Sequence, residues 1–193
     1  ERGINMGTVV VLPAFNKDVS IWRQVNIGHR QLNIIDYGQL AIEDFTFNNI
    51  VEKVVTIVKN ANQPVILAGE DFGALIALRA SVDLLGRLDR LILVRPHYQA
   101  STALLKTGIF DHVPVSRSQF KTLKKSLQGV DLTQNLMHVQ DATYIYCGEK
   151  DRKNRRVAQD LKNRLIDGHI EFVPRMSKGL NQEGVHAVSE NLR

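Results

Sequence analysis

Short apolar runs and amphipathic stretches alternate along almost the whole chain. Thr8 to Leu12 (TVVVL) is continuous, β-branched and ended by Pro13, a pattern that predicts a buried strand. Five more strands are predicted the same way, at Leu32 to Asp36, Pro64 to Ala68, Leu91 to Val94, Thr143 to Cys147 and His169 to Val173. Between them the period changes to that of a helix. Phe47 to Lys59 repeats its apolar residues as Ile50, Val51, Val54, Val55 and Val58, one stripe on a helical surface. Gly73 to Leu85 is apolar on most faces and reads as a buried helix, Lys153 to Ile166 is amphipathic, and Gln182 to Leu192 closes the chain. Strands apolar on both faces and separated by helices predict a parallel sheet covered on both sides.

Pro96 to Asp141 breaks the alternation. It mixes a short helical piece, Ser116 to Leu127, with turn signals at Gly108, Pro114 and Gly129. It reads as a lid inserted into a single domain of residues 1–193, set over the strand ends.

Composition narrows the classes. At 193 residues, with 44% hydrophobic and 23% charged residues, the chain can bury a core of ordinary size and is not mainly disordered. Cys147 is the only cysteine, which excludes a disulfide scaffold and fits a reducing, cytoplasmic setting. No apolar run approaches the ~20 residues of a membrane span, and no charged segment precedes an apolar one near Glu1 as in a signal peptide; Met6 is a candidate start that would leave residues 1–5 as a remnant. The net charge of +5 favours anionic partners without naming one. Zinc spacing, a phosphate-binding glycine loop and a basic–aromatic stripe are all missing, so no metal or cofactor is expected and nucleic acid is disfavoured.

The chemistry concentrates in Pro64 to Ala80 (PVILAGEDFGALIALRA). A buried strand runs into Gly69-Glu70-Asp71-Phe72-Gly73 and straight into an apolar helix. Flanking glycines suit a turn too tight for side chains. This resembles the nucleophile elbow, G-x-S-x-G, of the α/β-hydrolase superfamily. Other segments are similar in the right order: Val9 to Val25 to the first core strand and oxyanion loop, Leu91 to Pro96 to the strand after the elbow helix, Tyr144 to Asp151 to the strand and loop bearing the triad acid, and Ile170 to Asn181 to the last strand and histidine loop. The family's leading antiparallel strands have no counterpart. The resemblance implies a three-layer α/β sandwich of about six mostly parallel strands, in a short-core form.

It also places the site. Asp71 stands at the nucleophile position, Asp151 at the acid position and Lys178 at the histidine position, while Ala14, Phe15 and Phe72 hold the oxyanion-loop positions. Glu70 and Arg95 are candidate ligand contacts. A degenerate triad of this kind implies a protein that has lost serine-hydrolase chemistry and binds a small ligand or a protein partner, anionic in preference. The alternative is a hydrolase of esters, halides or epoxides that attacks through Asp71, as aspartate-nucleophile members of the superfamily do. That route needs a base titrating near neutral pH. Lys178 is a poor one unless burial lowers its pKa by about three units. His97, after the fourth strand, is the alternative base; the plainer reading makes it a rim histidine without a role. The charge pattern predicts an Asp71–Lys178 ion pair. The basic run Lys150 to Arg156 reads either as a solvated helix start or as a surface for anions.

Overall fold

The computed structural model describes residues 6–105 and 113–193. Six strands form one sheet: β1 (Thr8–Leu12), β2 (Gln31–Ile34), β3 (Val65–Glu70), β4 (Leu88–Val94), β5 (Thr143–Gly148) and β6 (Gly168–Val173). Every pairing is parallel, in the order β2-β1-β3-β4-β5-β6. The helices are α1 (Phe47–Asn60), α2 (Phe72–Leu84), α3 (Arg117–Ser126), α4 (Arg152–Arg164) and α5 (Gln182–Ser189).

Alternation within the central strands builds two cores. Val10, Leu12, Leu67, Leu91 and Leu93 face a layer containing α1, α2 and α4. Val9, Val11, Ile66, Ala68, Ile92 and Val94 face the opposite layer, made of α5 and the short 3₁₀ segment Ser20–Gln24 with its buried Trp22. The uniform apolarity of α2 follows from its place between the sheet and α1. Its pattern therefore lacks the stripe that marks α1.

Four strands exceed their sequence-predicted lengths, β5 and β6 by a single residue each. β4 starts at Leu88 because Asp89 and Arg90 lie at the sheet's end, where Asp89 pairs with Arg30 at 2.7 Å and Arg90 donates to the Asn191 carbonyl. β3 continues to Glu70, a carboxylate buried with its own partners. In the Pro96 to Asp141 excursion, α3 opens on a Ser116–Gln119 capping box and packs on the α1 side through Leu123. Thr102–Leu105 forms a 3₁₀ turn whose Ala103 and Leu104 reach the strand ends. The turn signal at Gly108 lies outside the described residues. Among the described residues, no helix is long and apolar enough to cross a membrane.

Candidate functional site

All six strands are parallel, so their C-terminal ends share one edge, and the chain leaves β1 toward β2 on one side and β3 on the other. Open α/β sheets bind ligands at such an edge. Five loops converge here, those after β1, β3, β4, β5 and β6.

The turn between β3 and α2 is the tightest. Asp71 has φ 51° and ψ −112°, a conformation that side-chain-bearing residues rarely hold. It persists because both flanks are compressed: a Cβ on Gly69 would collide with the Gly73 carbonyl, and one on Gly73 with the Leu12 carbonyl. The Asp71 N–H donates to the Val94 carbonyl, extending the β3–β4 ladder into the turn. Its side chain makes no cap bond to α2. It points instead to three cationic or basic groups.

Arg95 follows β4 and has φ +49°, a second strained residue facing the first. Its Nη1 donates to Asp71 Oδ1 at 2.5 Å, and its Nε donates to Asp151 Oδ2 at 2.7 Å. One guanidinium thus bridges the two carboxylates. Asp151 also caps α4 by accepting from the Asn154 N–H, and Asn154 in turn donates to the Pro96 carbonyl. Lys17, in the loop after β1, donates to Asp71 Oδ2 at 3.1 Å. His97 Nε2 lies 3.3 Å from Asp71 Oδ1.

These contacts fix the charge of Asp71, whose residue is only 5% exposed. Burial pushes its pKa up; the His97 hydrogen bond and the Lys17 and Arg95 charges outweigh burial and hold it at about 2. For Arg95, burial pulls down and the two carboxylates outweigh it, so the guanidinium titrates above its usual range.

The expected Asp71–Lys178 pair does not form. Lys178 lines the same cavity, about 150 Å³ bounded also by Ala14, Asn16, Lys17, Asp71 and Arg95, but it is exposed and makes no ion pair among the described residues. Both carboxylate oxygens are already taken from β4 and the β1 loop. Lys17 was not legible as a partner; its one signal is a cation just after an apolar strand that ends at this edge. Glu70 also departs from its expected role. It turns inward, accepting from Trp22 Nε1 at 3.1 Å and from the Leu180 N–H at 3.0 Å, with Lys17 Nζ at 3.7 Å. The tie between this turn and the last loop is therefore Glu70–Leu180. Gly179, at φ +94°, keeps that approach open; a Cβ there would crowd Lys17 Nζ and Glu70 Oε1. Phe15 packs edge-on against Phe72 at 5.4 Å, and Ala14 lines the cavity beside them. The Phe72 N–H sits in the first turn of α2, where helix amides have no intrahelical acceptor.

No family model matches the sequence, and no curated protein does. Solved structures match over nearly its full length. An α/β-hydrolase from the metagenome of Mar Chica lagoon sediments, Morocco, aligns with a TM-score of 0.74 at 17% identity, covering 96% of this chain and 89% of its own. The chain has the α/β-hydrolase fold. A second α/β-hydrolase, from a Medee basin deep-sea metagenome, gives 0.71 at 13% identity over 100% and 90% of the two chains. The peroxisomal α/β-hydrolase Lpx1 of Saccharomyces cerevisiae gives 0.65 at 14% identity over 99% and 77%. Within this fold, the turn at Asp71 lies between a central strand and its following helix.

Proposed function

We propose that this α/β-hydrolase-fold protein has replaced hydrolytic machinery with a fixed ion cluster and acts by binding a ligand at the C-terminal edge of its sheet. The observation that carries the reading is the Arg95 bridge between Asp71 and Asp151. In a Ser-His-Asp enzyme an imidazole stands between nucleophile and acid and shuttles a proton. A guanidinium in that place stays protonated and shuttles nothing. Asp71 is held by cations at both oxygens, which lowers its basicity and its readiness to attack carbon. Lys178 and Lys17 at the cavity leave it suited to an anionic group on a small molecule or a protein partner.

A second reading has Asp71 attack an electrophilic carbon while His97 activates water. The 3.3 Å contact between His97 and Asp71 favours it, since a base must stand near the ester to be hydrolysed. Labelling with serine-directed fluorophosphonate probes and with an electrophilic alkyl halide separates these outcomes. The expected result is no covalent adduct by intact-mass spectrometry. A stoichiometric alkyl ester mapped to Asp71 supports the second reading; a fluorophosphonate adduct on any serine overturns both.

A further inference from the structure

The loop from Pro13 to Lys17 lines two cavities. One holds Asp71. The other, about 300 Å³, lies at the ends of β1 and β2 beside the Ser20–Gln24 segment. Its wall is apolar, built from Pro13, Phe15, Val19, Ile35, Tyr37 and Pro114. Phe15 and Tyr37 pack on one another at 5.8 Å, and the Tyr37 hydroxyl is already spent on the Pro13 carbonyl at 2.6 Å. Phe15, Ile35 and Tyr37 are buried behind the wall, and the half-buried Val19, Ile34 and Pro114 supply its accessible apolar surface.

Its charges sit apart from that wall. Lys17, Arg23 and Asp36 line the same space, two cations to one carboxylate. Asp36 turns Oδ1 onto the Gly38 N–H at 3.0 Å, capping its own turn. Arg23 is exposed and makes no ion pair among the described residues. Lys17 is shared with Asp71 and Glu70. An apolar chamber with a cationic excess matches a ligand with an apolar body and one anionic group.

We propose that this cavity binds a small organic carboxylate, its apolar body against Val19, Ile34 and Pro114 and its carboxylate paired with Arg23 and Lys17. Because Lys17 also serves Asp71, ligand and ion cluster draw on one cation, and occupancy of the cavity is felt at the cluster. The inference does not depend on whether Asp71 attacks a substrate.

The test is an amide ¹H–¹⁵N NMR titration of the whole chain with butyrate, hexanoate and octanoate, each against the primary alcohol of equal length. Saturable shifts are expected at Val19, Ile35 and Tyr37, with affinity rising along the series. Each carboxylate should bind about tenfold tighter than its alcohol, the scale of one charge-assisted hydrogen bond. Arg23→Gln, at an exposed position, should remove most of that preference and leave alcohol binding unchanged. Equal binding of acid and alcohol, a preference intact in Arg23→Gln, shifts centred on Asp71 and Lys178, or no saturable shift would each overturn the proposal. Probe labelling at Asp71 is read separately, so failure here is distinguishable from failure of the binding reading above.

Discussion

Asp71 keeps its charge inside the protein because three neighbours outweigh the cost of its burial. A pKa lowered from the ordinary 3.8 to about 2 is worth about 2 kcal/mol of stability for a group this buried. The folded value lies below the unfolded one, so that contribution is complete above about pH 4 and is lost as pH falls toward 2. Urea unfolding between pH 6 and 2.5 should show the wild-type protein losing about 1.5 kcal/mol more than Asp71→Asn, which has no carboxylate to protonate there, because part of the contribution survives above the folded pKa. Parallel pH profiles for the two proteins would contradict this. Arg95 carries a larger share, since two buried carboxylates depend on it. Arg95→Ala should cost about 3 kcal/mol, the low end for a broken buried pair because 22% of the side chain remains exposed. Arg95→Lys should fall in between: it keeps the charge but cannot span both carboxylates. A loss under about 1 kcal/mol for Arg95→Ala, the scale of a surface pair, would show that the bridge bears little.

At the scale of elements, the β3–turn–α2 unit is where the sequence reads most directly into structure. Gly69 and Gly73 announced a turn without room for side chains, and both are pressed against backbone carbonyls. Less legible was the side to which each acidic neighbour points. Glu70 and Asp71 are adjacent, yet one braces the interior and the other faces the cavity, because the strained backbone at Asp71 redirects its side chain. Glu70→Ala should leave the Trp22 and Leu180 N–H groups without acceptors, at a cost of about 2 kcal/mol or more. Trp22 is the only tryptophan, so its fluorescence reports the loss. Emission is expected to change in Glu70→Ala and to recover in part in Glu70→Gln, whose amide oxygen still accepts one bond. Unchanged emission and stability in Glu70→Ala would rule out the brace.

At the scale of the whole molecule, strand positions were legible because each strand is an apolar run bounded by turns, and the fold follows from their parallel alternation with helices; the order of the strands in the sheet was not read from the sequence. Nor was the ion cluster. Lys17 and Asp71 are 54 residues apart and Arg95 and Asp71 are 24 apart; only the sheet's register brings them to one edge. Spacing from the last strand pointed to Lys178, which reaches the cavity rim while Arg95 and Lys17 occupy the carboxylate. We propose that this cluster is electrostatic and does no hydrolysis. The most direct measurement is turnover of a panel of p-nitrophenyl esters, 1-haloalkanes and terminal epoxides by the wild-type protein beside Asp71→Asn. Rates equal to the uncatalysed background are expected for both proteins. Wild-type turnover that Asp71→Asn abolishes would contradict the proposal.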